Sequence, residues 1–176
     1  MNSMTNLSLK CKCGAVEGRI SHVSPKVGNH VVCYCNDCQA FANHLSTEDD
    51  ILDPWGGTEV NQTAPWHISI NKGLENIRCL RLTPKGLYRW YTGCCNTPVG
   101  NTLSARFPFV GVIHSFIDKD EQTDSKLGPV KGYNKLESAK GEVPVEYQDL
   151  GIPLATTLAV IWRLLKWKVT GGNKPN

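Results

Sequence analysis

The chain has 176 residues, of which 40% are hydrophobic and 20% charged, a length and balance that fit one soluble globular domain with a real core. Its net charge of +3 is too mild to argue for nucleic acid as a partner. Met1 to Lys10 contains no apolar stretch of the kind a secretory signal needs, and no later run is long and uncharged enough to span a bilayer.

Most of the chain reads as short strands. Leu7-Ser8-Leu9 leads into Cys11-Lys12-Cys13-Gly14, and Gly14 to Ile20 leaves it. Val31 to Tyr34 enters a second cysteine cluster, followed by a short helix over Asp37 to Leu45 with Phe41 and Leu45 on one face. Trp66 to Ile70 alternates apolar and polar residues as a half-buried strand does. Ile77 to Leu82 and Leu87 to Thr92 form a hairpin across Thr83-Pro84-Lys85-Gly86, with Cys79 expected in the core. Phe109 to Ile117 is a further strand.

The stretch from Asp118 to Asp149 is polar and turn-rich, and is expected to run over the surface. A helix over Ile152 to Val169 places Leu154, Leu158, Ile161 and Leu165 at helical spacing, with Arg163, Lys166 and Lys168 near its end. Docking of that stripe onto the domain is the expectation, in preference to lying on a membrane. The fold class is therefore mostly β, built of small antiparallel sheets, with a short helix after the second cluster and a C-terminal amphipathic helix. Residues 1–117 form the expected β domain, 118–149 its polar excursion, 150–170 the helix and 171–176 a disordered tail.

Seven of the eight cysteines fall in three clusters: Cys11 and Cys13; Cys33, Cys35 and Cys38; Cys94 and Cys95. Cysteines two apart rarely bridge each other, whereas short turns point such sulfurs at one soft cation, and zinc takes about four of them in a tetrahedron. This predicts two zinc sites and a reducing compartment, the cytoplasm. Cys11, Cys13, Cys94 and Cys95 have the pair-of-pairs plan of a structural site. Adjacent cysteines share one ion only at a kinked turn, which Gly93 and Asn96 permit. Cys33, Cys35 and Cys38 offer three sulfurs from one segment, and three ligands with an open fourth position mark a reactive site. The fourth position is either open or filled by Cys79, Cys94, His44 or Asp37. Asp37 and Asn36 are read as capping or second-sphere residues, Gln39 and His44 as solvated groups, and Arg89 as able to meet a carboxylate, though strand arginines usually snorkel.

Cys11, Cys13, Gly14 and Val16, then Cys33, Cys35 and Cys38, then Arg89-Trp90-Tyr91 leading to Cys95 together resemble the pattern of the glutathione-dependent formaldehyde-activating enzyme family, to which the centromere protein V-like proteins belong. The match runs from about Leu7 to Val112. The resemblance implies a β-tent of small sheets carrying two zinc ions. One is structural, on Cys11, Cys13 and the late knuckle. The other sits on Cys33, Cys35 and Cys38, as the centre of carbon–sulfur lyase chemistry on an adduct of formaldehyde with a small thiol such as glutathione. The Gly56-Gly57-Thr58 loop resembles one that lines the family's cleft.

Two features depart from the pattern. The late knuckle reads Thr92-Gly93-Cys94-Cys95 where Cys-x-x-Cys-Gly is usual, and Gln39-Ala40-Phe41-Ala42 replaces the usual basic residues after Cys38. A non-catalytic zinc module that binds a partner, and a thiol redox or metal sensor, are the alternative functions.

Overall fold

The computed structural model describes residues 5–149 and 154–169. In chain order the strands and helices are β1 (Leu7–Lys10), β2 (Glu17–Ile20), β3 (Asn29–Cys33), α1 (Asn36–Leu45), α2 (Glu48–Ile51), β4 (Thr58–Thr63), β5 (Ile68–Lys72), β6 (Ile77–Leu80), β7 (Tyr88–Thr92), β8 (Pro98–Thr102), β9 (Val110–Ile113), α3 (Thr123–Leu127), β10 (Tyr133–Asn134), α4 (Val145–Asp149) and α5 (Leu154–Val169). They build two sheets. The smaller has the order β1-β2-β5, and the larger the order β10-β3-β4-β9-β8-β7-β6. Pairing is antiparallel except between β10 and β3.

The larger sheet is the middle layer, as the alternation of β9 shows. Val112 belongs to a core shared with Leu7, Leu9, Ile20 and Phe116, under the small sheet. Its neighbour Ile113 belongs to a second core with Phe41, Leu45, Ile51 and Val60, under α1 and α2. Successive strand residues face opposite sides, so the small sheet covers one face and the two helices cover the other. A bridge between Leu9 and Ile117 and a bond from Asp118 N–H to the Ser8 carbonyl, 2.9 Å, tie the outer edge of the small sheet to the segment after β9. Where the small sheet stops short of β6, β7 and β8 it leaves an apolar cleft of about 690 Å³, walled by Ile70, Ile77, Trp90 and Phe116 among others.

Several elements differ from their sequence reading. Trp66 and His67 lie in a 3-10 turn begun by Pro65, and the strand starts only at Ile68; Pro65 has no amide hydrogen to give a ladder. The strand expected through Ile117 ends at Ile113 in another 3-10 turn, His114–Phe116. β4 (TEVNQT) and β8 (PVGNT) had no strand reading at all. Both are polar and lack the alternation that marks a half-buried strand, yet Thr58, Asn61, Thr63 and Asn101 are buried within them. Cys79 is exposed rather than in the core, because β6 is the outermost strand of its sheet. Within residues 118–149, β10 extends the larger sheet.

Helix α5 docks the other way round from expectation. Trp167 is buried, edge-on to His67 at 6.1 Å, while Leu158, Ile161 and Leu165 of the apolar stripe are exposed. The expected helix start at Ile152 and the expected tail at 171–176 lie outside the described residues. No helix among the described residues is long and apolar enough to cross a membrane.

His67 is enclosed by Trp66, His22 and Trp167 and shares a hydrogen bond with the Thr63 hydroxyl, 2.7 Å. Burial, with a smaller repulsion from His22, holds its imidazole down to about 4, against an ordinary 6.5. A depressed folded value means that the unfolded chain takes up the proton first as pH falls. Stability present above pH 6.5 is therefore lost toward pH 4, by on the order of 3 kcal/mol. The urea midpoint of the native chain is expected to fall more between about pH 7 and about pH 4.5 than that of His67→Gln; parallel slopes would show that this histidine does not carry the loss.

Candidate metal centres

The first centre joins two turns far apart in the chain. Between β1 and β2, Gly14 adopts φ +73° and its N–H bonds the Cys11 carbonyl at 2.9 Å, while Cys11 N–H bonds the Val16 carbonyl at 3.0 Å. This turn presents Cys11 and Cys13. Between β7 and β8, Thr92 N–H bonds the Thr97 carbonyl and Asn96 N–H the Thr92 carbonyl, both at 2.9 Å, with Asn96 at φ 55°. That kink brings the adjacent Cys94 and Cys95 to the same side.

The four sulfurs lie within 4.8 Å of one another. Cys11–Cys13 is 3.6 Å, Cys11–Cys94 3.9 Å, Cys13–Cys94 3.4 Å and Cys94–Cys95 3.8 Å. Tetrahedral ligands ~2.3 Å from a zinc ion stand roughly 3.8 Å apart, so the spacing fits such an ion. All eight cysteines are free thiols.

Hydrogen bonds prepare these sulfurs to carry charge. Val16 N–H donates to Cys11 Sγ at 3.2 Å. Thr92 and Thr97 hydroxyls lie 3.4 and 3.1 Å from Cys95 Sγ. Burial works against Cys95 ionisation, but hydrogen bonds with the Thr92 and Thr97 hydroxyls and with Cys13 together outweigh it and hold the thiol down to about 5. Thr92 thus serves the centre through its hydroxyl, which also accepts the Thr97 N–H at 3.1 Å.

The second centre is built on one corner. Cys33 ends β3, Cys35 is the N-cap of α1, and Cys38 sits in its first turn. Cys38 N–H bonds the Cys35 carbonyl at 3.0 Å, folding the three sulfurs to within 4.8 Å of one another. Among the described residues no fourth His, Cys, Asp or Glu atom joins them; Cys79, Cys94, His44 and Asp37 all stand outside the group. The thiols of Cys33 and then Cys38 stabilise the Cys35 thiolate and pull it far below the usual thiol value, with the Cys38 N–H and the Arg89 charge adding to the effect. Cys33 is driven up in turn by the same Cys35 contact. Without a cation, these opposed shifts favour the thiolate at Cys35, with the Cys33 and Cys38 thiols beside it.

Arg89 departs from the snorkelling favoured in the sequence reading. It does not snorkel: it is 1% exposed, the largest side chain so fully enclosed among the described residues. Its Nη1 donates to Cys38 Sγ at 3.6 Å and to Asn101 Oδ1 at 3.2 Å, and the guanidinium lies over the Phe41 ring at 5.5 Å. Asp37 approaches Nη2 only to 3.7 Å and is itself half exposed. A buried cation needs an anion beside it; the half-exposed Asp37 carboxylate provides one, as the sequence reading allowed, and Cys38 Sγ adds a second polar contact. The pattern of a polar strand with an arginine opposite a cysteine cluster was the one available signal.

Gln39 is likewise buried rather than solvated, its amide donating to the Tyr34 and Ser138 carbonyls, both at 2.8 Å. Gly56 packs against that amide, which places the Gly56-Gly57-Thr58 loop beside α1. His44 is exposed. Asp37 stands in the first turn of α1 while Cys35 takes the cap position, and Asn36 begins the helix.

Replacing Arg89 tests the charge argument. Arg89→Met is expected to lower the unfolding free energy by about 3 kcal/mol or more, since it strands the sulfur charge. Arg89→Lys should recover only part, because an ammonium cannot bond Cys38 and Asn101 while also reaching Asp37 and lying flat over Phe41. Urea unfolding reads both; a fully stable methionine variant would show that the cluster is not anionic.

No curated protein matches the chain. A crystal structure of a Rhodobacter sphaeroides protein, a structural genomics target, is similar to it with TM-score 0.49 and 16% identity, over 70% of this chain and 97% of that one. The sequence matches a family of unknown function, DUF6151, over residues 3–169, and with that span covered the chain belongs to this family.

Proposed function

We propose that the chain is a two-zinc protein of the carbon–sulfur lyase type, acting on a small thiol adduct of the glutathione–formaldehyde kind. Cys11, Cys13, Cys94 and Cys95 hold a structural ion, and Cys33, Cys35 and Cys38 hold a second with a position left for the thiol. One contrast carries the reading: four sulfurs converge at one centre and only three at the other, with no further ligand beside them among the described residues. The motif spacing of the formaldehyde-activating family supports the same division.

A zinc ion with three thiolates and an open position eases deprotonation of an entering thiol and suits sulfur chemistry better than activation of water. The chain's own residues set the terms. The Arg89 bond to Cys38 offsets the negative charge of the three thiolates and holds Cys38 in place. The Gln39 amide is fully engaged by two carbonyls, and no basic residue occurs in Gln39-Ala40-Phe41-Ala42. The adduct is therefore recognised at this corner through its sulfur rather than through a carboxylate held by α1. In the forward direction the sulfur bonds the aldehyde carbon, and the carbonyl oxygen takes the proton that the thiol released. In reverse the carbon–sulfur bond breaks and the proton returns to sulfur.

Native mass spectrometry of the full chain, before and after adding glutathione, tests this. Two zinc ions and uptake of one thiol are expected. Cys35→Ser should lose one ion and the thiol yet stay folded, whereas Cys94→Ser should lose the other ion and much of the stability, since a structural zinc supplies ~10 kcal/mol or more of apparent folding free energy. Two retained ions with no thiol uptake would point instead to a non-catalytic module. Zinc release with disulfide formation under mild oxidant would point to a sensor.

A further inference from the structure

Helix α5 presents its apolar side to solvent. Trp162 is 72% exposed, Leu158 57%, Leu165 53% and Val169 87%, with Ile161 at 48%. Five of the nine large hydrophobic side chains exposed among the described residues thus sit on this one helix. At ~100° per residue they fall on one stripe, while the docked Trp167 falls roughly opposite it. Contact with the body through His67 therefore aims the stripe outward.

Charge identifies what would cover it. The helix carries Arg163, Lys166 and Lys168 and no acidic residue. Lys166 and Lys168 are exposed and stand roughly 80° to either side of the stripe. An apolar strip edged by lysines fits a surface whose interior is hydrocarbon and whose boundary is anionic; lysine stems lie along such a boundary and tryptophan favours it. A second copy of this chain would bring the same lysines against one another. At 16 residues the helix is ~24 Å long, too short to span a bilayer but able to lie in its interface. We infer that α5 is an interfacial anchor that lays Leu158, Ile161, Trp162 and Leu165 into an anionic phospholipid surface while Trp167 keeps the helix attached to the domain.

The test is flotation of the full chain with phosphatidylcholine vesicles containing about 30% phosphatidylglycerol, against phosphatidylcholine alone. Binding to the anionic vesicles is expected to be at least about tenfold stronger and to weaken with salt. Trp162→Glu and Leu165→Glu should each lower it at least about tenfold, and Lys166→Gln with Lys168→Gln should lower it severalfold on anionic vesicles only. Since these side chains are exposed, the variants should keep the urea midpoint of the native chain, which separates lost binding from lost folding. Absence of flotation, or undiminished flotation of both glutamate variants, overturns the inference. So does a lipid-free dimer that does not float and that Trp162→Glu dissolves, which would assign the stripe to a second copy.

Discussion

Four thiols gathered within 4.8 Å at the meeting of two turns are the constraint on which the rest of the architecture leans. The small sheet consists of strands of four and five residues, too little by itself to hold a layer in place. Cys11 is at once a member of the core between the sheets and a member of the sulfur group, and Cys95 packs against the same core. The group therefore fastens the β1–β2 turn to the β7–β8 turn at the point where the layers would otherwise part. Cys13 and Cys94 are exposed, so apolar burial does not explain why their sulfurs point inward to 3.4 Å. A shared cation would, because it would turn crowded thiols into mutually required ligands.

The second group solves a different problem. Three sulfurs on one corner of β3 and α1 need no long-range partner to converge, since the Cys35 cap and the first helical turn bring them together locally. What they need from the rest of the fold is compensation for charge in a half-buried place. Arg89 reaches them from β7, across the face of the larger sheet that α1 covers, and Asn101 on β8 holds the same guanidinium. Among the described residues its Nε and the Thr58 hydroxyl have no hydrogen-bond partner, and Arg89 and Thr58 border a small void beside Cys38 that does not admit a water molecule. Leaving two buried polar atoms unsatisfied costs stability. That cost is tolerated where the strong contacts to Cys38 and Asn101 fix the arginine, which is a common compromise beside functional groups.

Legibility in the sequence followed the physical source of each feature. Local turn chemistry and thiol spacing were legible: the Cys-x-Cys steps, the hairpin across Thr83 to Gly86, the short helix with Phe41 and Leu45 inward. So was the predominance of β structure. Strands β4 and β8 were not, because their burial is earned by long-range pairing of polar side chains, such as Asn29 with Gln62 at 2.9 Å, rather than by an apolar pattern. Arg89 escaped for the same reason, since only the fold reveals that strand β7 lies under α1. The helix at the C-terminal end was legible as an element but not in its orientation. Apolar periodicity marks a stripe without saying which solvent it meets, and among the described side chains of this helix it is Trp167, on the opposite side, that is buried.

The turn between β7 and β8 shows how two adjacent cysteines can serve one centre. In an extended strand the side chains of Cys94 and Cys95 would oppose each other. The turn resolves this difficulty. Asn96 takes the left-handed conformation that asparagine tolerates better than most residues, and the Thr92 and Thr97 backbones close around it. This reverses the chain sharply enough to bring neighbouring sulfurs to 3.8 Å. The buried Thr92 hydroxyl then becomes a hinge pin, accepting the Thr97 N–H while contacting Cys95 Sγ. The turn thus supplies the geometry that leaves four sulfurs around one point.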